Sequence, residues 1–117
     1  MIRLSTDRGL IAVDTDVYTN IAGRAATNCF GVKGMAVRSM TDGLVHLLRR
    51  EAMSKGVKVG FCDDGSIAID LHIIVDRGVN IAAIGEAIIS EVKYNVEKST
   101  STTVNAVNVY VDSISTD

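Results

Sequence analysis

Two alternating runs decide the fold: Val57-Lys-Val-Gly-Phe61 and Ile67-Ala-Ile-Asp-Leu-His-Ile-Ile-Val75, separated by Asp63-Asp-Gly65. In both runs, apolar side chains recur at every second position, which is the spacing of a strand with one buried face. Asp-Gly is typical of a tight turn because both residues tolerate the backbone angles that turns require. The three segments together predict a β-hairpin.

Helical spacing predicts an element on each side of this hairpin. Small or apolar side chains recur at every fourth position from Val17 to Cys29, and Asp14 or Thr15 can cap the helix that they predict. Gly78 and Asn80 open a second stripe, from Ile81 to Val96, which predicts a long helix that runs to about Lys98.

Shorter patterns fill in the remaining elements. Gly9–Val13, Val32–Val37 and a run from Val107 to about Ile114 predict strands. Thr41 and Asp42 predict the cap of a shorter helix whose inward residues are Leu44, Leu47 and Leu48. The predicted order is β-α-β-α-β-β-α-β. It favours a two-layer α+β fold, a single domain over residues 1–117, with helices on one face of a mixed sheet.

Composition excludes several classes of function. The 117 residues include no proline, no tryptophan and 4% aromatic side chains, and the net charge is −2. Polyproline recognition and base-stacking platforms are therefore disfavoured, and a basic footprint for nucleic acid or anionic lipid is missing. No run approaches the roughly 18 apolar residues of a membrane span, and we expect no signal peptide. Cys29 and Cys62 show neither metal spacing nor a disulfide framework, which is typical of a reduced cytoplasmic protein.

The outward side of the predicted sheet is the main candidate interaction surface. It mixes small, polar and apolar side chains without the dense charge of a fully solvated face, so it suits a protein partner or self-association. An ordinary exposed sheet face is an equally good interpretation of the same pattern. Alternation assigns to it Ala68, Asp70, His72 and Ile74, with Ala106, Asn108 and Tyr110.

Two acidic patterns raise the question of metal or acid–base chemistry. Asp70 and His72 lie two apart on one strand face, but no third ligand has supporting spacing, and His46 lies on a separate predicted helix. Asp63-Asp64 lacks the alternating acids of a calcium loop, and the turn explains it. We therefore predict no catalytic residue, no metal and no cofactor, with a metal-assisted enzyme at Asp70 and His72 as the weaker hypothesis.

A short glycine motif offers a second function. Gly31-Val32-Lys33-Gly34 matches the G-x-x-G loop with which K-homology domains hold an RNA backbone. Here the residues that follow it predict a strand, whereas in those domains the loop joins two helices. The alternative function is RNA binding through this loop with Lys33, Lys55 and Lys58, which would weaken with salt and on Lys33→Glu.

Several segments, taken in order, resemble the alkaline shock protein family, also described as the envelope stress response family of Gram-positive bacteria. The resemblance extends from Gly9 to Ile114, and it rests on the order and spacing of the segments together. The stretch from Asp42 to Glu51 is similar to that of the small members without long tails. The segments are Gly9–Asp14, Asn20–Ala26, Gly31–Met35, Ser54–Val59, Ile69–Val75, Gly78–Ile81, Val92–Glu97 and Val107–Val111.

The resemblance implies a non-enzymatic cytoplasmic protein, held at the membrane in some members by a separate anchor protein. It also implies roles in envelope homeostasis, alkaline stress or lipid metabolism, and it supplies no catalytic residues. One departure is the run Ser99–Thr103, which stands where a glycine-containing turn is expected. Another is the lack of an extended charged tail, so the higher-order assembly of longer members is not implied. We expect a scaffold that associates with itself and with an unidentified protein, a membrane-anchored one among the candidates.

Overall fold

The structure is a computed structural model that describes residues 2–38, 45–48 and 55–116. Helices and strands follow one another in these ranges as β1 (Ile2–Thr6), β2 (Gly9–Val13), α1 (Thr15–Thr27), β3 (Val32–Arg38), β4 (Val45–Leu47), β5 (Val57–Phe61), β6 (Ile67–Val75), α2 (Ile81–Thr100) and β7 (Val104–Ile114).

Strand β6 is the centre of a mixed sheet. Strand β7 pairs with it in parallel along its whole length, from Ile67 to Val75. Two strands pair with its other edge, one after the other. Strand β5 pairs antiparallel with Ile67–Leu71, and β3 pairs antiparallel with Ile73–Val75. Strand β4 then pairs with the far edge of β3. The predicted β5–β6 hairpin is therefore confirmed, and so is the mixed sheet.

Both helices cover the same face of this sheet. The alternate side chains of β6 on that face, Ile67 to Val75, are fully buried. Ala22 and Ala26 of α1 and Ile88 and Val92 of α2 pack into the same core. Burial of each large aliphatic side chain contributes about 1.5–3 kcal/mol. The two-layer α+β fold class is confirmed.

Helix starts follow the predicted capping chemistry. Asp14 caps α1 by accepting a hydrogen bond from the backbone N–H of Asp16 at 3.3 Å, and Asn80 caps α2 by accepting one from the N–H of Ala83 at 3.0 Å. A buried hydrogen bond of 2.8 Å joins the hydroxyls of Tyr18 and Thr102 and ties α1 to the loop before β7. It satisfies both hydroxyls inside the core.

The structure differs from the sequence-based prediction at two strands. Ile2–Thr6 forms β1, which pairs with β2 and was not predicted, because a five-residue run with two apolar positions gives little local signal. The helix predicted after Thr41 and Asp42 is wrong for Val45–Leu47, which form β4 against Ala36–Arg38. Antiparallel pairing with β3 overrides local helical spacing there. The remainder of that predicted helix, including Leu44, lies outside the described residues.

Helix α2 ends at a left-handed residue that is not glycine. Ser101 has φ 58° and ψ 15°, and its N–H donates to the carbonyl of Glu97 at 2.9 Å. Glycine usually holds this position because a side chain is strained there. Ser101 therefore occupies the position in Ser99–Thr103 where the family resemblance led us to expect a glycine.

We predict that Ser101→Gly raises the free energy of unfolding by about 0.5–1 kcal/mol, because it relieves the left-handed strain. The same change at Ser99, which lies inside α2, is expected to lower that free energy by about 1 kcal/mol. Urea unfolding of both variants measures the two effects. Equal effects at the two positions would contradict this account of the cap.

Candidate interaction surface

Strand register brings the predicted outward residues into neighbouring pairs. Ala68 lies opposite Ala106, Asp70 opposite Asn108 and His72 opposite Tyr110. On the other side of β6, Gly60 and Lys58 of β5 lie opposite Ala68 and Asp70. These side chains point away from the helices because their neighbours along β6 are in the core. We call the set formed by Ala68, Asp70, His72, Ala106, Asn108 and Tyr110 the outward face.

Ile74 differs from its predicted neighbours. Its exposed fraction is only 7%, so it is not part of an accessible surface. It lies opposite Gly34 of β3, and the Cδ1 atom of Leu47 would lie 2.8 Å from a Cβ placed on that glycine. The Leu47 side chain therefore occupies the space beside Ile74. The assignment of Ile74 to an exposed contact surface is wrong for this reason.

Hydrogen bonds and a ring stack hold the polar part of the outward face in place. Asn108 Nδ2 donates to Asp70 Oδ1 at 2.9 Å, and His72 Nδ1 lies 3.0 Å from Asp112 Oδ2. The rings of His72 and Tyr110 stack with their centroids 4.9 Å apart and their planes inclined by 15°. The His72 side chain keeps 43% of its area exposed, whereas Asp112 keeps 14%. The result is a preordered surface with an aromatic centre.

Asp112 is a site residue that the sequence pattern misses. Val111 lies opposite Ile73 and Ser113 lies opposite Ile74, so Asp112 is the extra residue of a β-bulge. The bulge brings its carboxylate to His72. Simple alternation along β7 gives no sign of this irregularity, because the bulge depends on pairing with β6.

The Asp70 and His72 side chains do not converge on a common ligand. Asp70 is bonded to Asn108, and His72 is bonded to Asp112, so each has its own partner. Within the described parts of the chain, no three His, Cys, Asp or Glu side chains are grouped as metal ligands. The geometry here orders a surface and gives Asp70 and His72 no shared ligand.

Titratable groups elsewhere have local structural explanations. Asp64 Oδ1 accepts hydrogen bonds from the hydroxyl of Ser66 at 2.6 Å and from its N–H at 3.0 Å, and these bonds lower the pKa of Asp64. This is turn chemistry of the β5–β6 hairpin. Burial raises the pKa of the Cys29 thiol, and the charge of Glu91 raises it further. Cys29 is therefore the opposite of an activated thiolate.

The predicted RNA-binding loop lies at the junction between α1 and β3. Gly31 is in the turn, whereas Lys33 and Gly34 belong to β3 itself. Gly31 has φ +89°, and a Cβ there would collide with the Ile84 side chain of α2. The Leu47 side chain occupies the space that a Cβ on Gly34 would need. Each glycine thus has a packing reason, and RNA binding through this loop stays an untested prediction.

We expect Gly31→Ala to lower the free energy of unfolding by more than about 1 kcal/mol, because it adds a collision with Ile84 to left-handed strain. Gly78 has a similar φ of +81° with open space around it, so Gly78→Ala isolates the strain. Thermal unfolding of both variants separates the two causes. A Gly31 variant no less stable than the Gly78 variant would contradict the packing explanation.

Membrane insertion has no candidate helix among the described residues. Neither α1 nor α2 is both long enough and apolar enough to span a bilayer.

Comparison with known proteins decides the family. Residues 3–116 match the family model of alkaline shock protein 23, described as having a cell envelope-related function. The chain belongs to this family. It is 37% identical to YloU of Bacillus subtilis over 114 residues, which are 97% of this chain and 94% of YloU. It is 39% identical to Spy1614 of Streptococcus pyogenes over 114 residues, which are 97% of this chain and 93% of that protein. The resemblance found in the sequence is thereby confirmed.

A solved structure resembles the fold at low sequence identity. The manganese form of a MamM CTD variant has a TM-score of 0.50 and 17% identity, and the match covers 86% of this chain and 99% of that one. At this identity the likeness concerns the fold alone.

Proposed function

We propose that this member of the alkaline shock protein 23 family is a non-enzymatic scaffold in envelope stress response or homeostasis. It acts in the cytoplasm by associating with itself and with a second protein, a membrane-anchored one among the candidates. The outward face is its contact surface for the second protein. The family's cell envelope-related function supports the setting of this proposal.

The observation that carries the proposal is the preordered outward face. Its aromatic and polar groups are already fixed by the Asp70–Asn108 and His72–Asp112 hydrogen bonds and by the ring stack. A surface that is ordered before binding loses little side-chain entropy when a partner covers it. Stacked His and Tyr rings also supply the amphipathic contact area that protein interfaces favour.

Small residues on the outward side of the sheet add to the support. Gly60, Ala68 and Ala106 lie in one row across β5, β6 and β7, so few side-chain atoms stand above the backbone there. A partner can approach the backbone closely along such a row. Lys58 and Asp70 lie opposite each other in the next row, between the small residues and the aromatic stack, and offer one charge of each sign.

We predict that Ala68→Arg abolishes capture of the protein partner, because a long charged side chain then blocks the row of small residues. Tagged wild-type and variant chains are incubated with lysate and membrane extract of a Gram-positive host, and the captured proteins are compared by mass spectrometry. Ala83→Arg is the matched control, since Ala83 is exposed on α2 at the other side of the molecule.

The expected result is a protein captured by the wild type and the Ala83 variant and lost with the Ala68 variant. Equal capture by all three chains would overturn the role of the outward face. A strictly monomeric wild type that captures nothing would overturn the scaffold function itself.

A further inference from the structure

The outer edge of β7 is long and lacks the usual protection. Among the described strands only β6 pairs with β7, so the opposite edge of this eleven-residue strand is open. Exposed edges are normally blunted by lysine, proline or bulges. In β7 the sole charged side chain is Asp112, which is held by His72, and the register shifts fall near the two ends of the strand. A regular run from Ala106 to Val111 remains between them.

A groove with apolar and polar lining follows this open edge. Val107–Val111 form one wall, and the flank of α2 with Ile81, Gly85 and Ile89 forms the other. Val109 and Val111 face the core side but stay partly exposed, whereas their partners on β6, Leu71 and Ile73, are fully buried. The core therefore reaches the edge of the sheet and is incompletely covered there.

The same flank of α2 carries two opposite charges. Ala82, Glu86, Ile89 and Lys93 follow one another at spacings of four, three and four, so they share one side of the helix. Ala82, Glu86 and Ile89 all line the groove. Glu86 and Lys93 are exposed, and neither side chain has a hydrogen bond or ion pair within the described ranges.

This charge pattern is complementary to itself. When two such helices run antiparallel about a two-fold axis beside Ile89, Glu86 of each copy lies opposite Lys93 of the other. The two Ile89 side chains then meet at the axis, and the small residues Ala82 and Gly85 permit a close approach. Because Ile89 lines the groove together with Val107–Val111, one axis can serve both the helices and the middle of β7.

We infer that the β7 edge and this flank of α2 form the interface between two copies of the chain. The two β7 strands pair antiparallel, so the sheet continues from one copy into the other. A two-fold interface of this kind joins the same patch on both copies, as self-complementary charges require. The inference rests on the self-association within the proposed function and assigns it to the β7 edge and α2, which adjoin the outward face at Asn108 and Tyr110.

Charge reversal tests the inference. In E86K or K93E, positions 86 and 93 carry the same charge, so the two-fold axis produces two repulsive pairs across the interface. Each variant is expected to raise the dimer dissociation constant about tenfold. The double variant E86K/K93E exchanges the charges and is expected to restore dimerisation. The matched control is Glu91→Lys, on the side of α2 that faces α1. Sedimentation equilibrium over a range of concentrations measures the dissociation constants, and circular dichroism checks the helix content.

Amide hydrogen exchange provides a second readout on the strand. In the wild type, amides between Ala106 and Val111 are expected to exchange more slowly as concentration rises, and this dependence is expected to weaken in K93E. A strict monomer would overturn the inference, as would a dimer indifferent to both single reversals or a double variant without recovery. Protection that appears only on addition of another protein would also overturn it, in favour of strand addition by that protein.

The outcomes keep this inference separate from the proposed function. A monomer that still captures a protein in a manner dependent on Ala68 overturns the β7 interface and leaves the scaffold function standing. A dimer that is lost with Ala68→Arg but retained by E86K and K93E moves self-association to the outward face and overturns the inference.

Discussion

One strand with three pairing partners governs this fold. All of the side chains that β6 directs toward the helices are fully buried, and both of its edges are hydrogen-bonded. Since β3 and β5 share one edge end to end, a one-residue slip of β6 would break two pairings and turn its apolar face outward. The register of β6 consequently fixes the core, the outward face and the position of β7 at the same time.

The two surfaces of interest follow from that arrangement. Helices on one side leave the other side of β5, β6 and β7 without a helical cover in the described structure, and its polar groups are satisfied by one another. Among the described strands none pairs with the far side of the parallel strand β7, so the described sheet ends at an edge that lies beside α2. A small two-layer fold thus offers a face and an edge that meet along β7.

Local chemistry explains why much of the fold could be predicted from the sequence. Period-two runs on both sides of Asp63-Asp-Gly65 gave the β5–β6 hairpin, and helical stripes with Asp14 and Asn80 gave α1 and α2. The outward residues other than Ile74 could be assigned to one face because alternation along a strand is a local property. The pattern could not predict β4, the bulge at Asp112 or the burial of Ile74, because each depends on contact with another strand. The charges of Glu86 and Lys93 can be read from the sequence, but they suggest an interface only once this flank of α2 is known to lie beside the open edge of β7.

The parallel pairing of β6 with β7 also has a consequence for synthesis on the ribosome. Strand β7 emerges well after β6, supplies one whole edge of that central strand and buries Val104 and Val107 in the core. Until it is released from the exit tunnel, the nascent chain carries β6 with a bare edge, and the sheet side of α2 lacks a cover. The hairpin formed by β5 and β6 can assemble early because its contacts are local, but completion of the sheet has to wait for β7. Nascent copies on neighbouring ribosomes would therefore display an unfinished sheet to one another until β7 has been made.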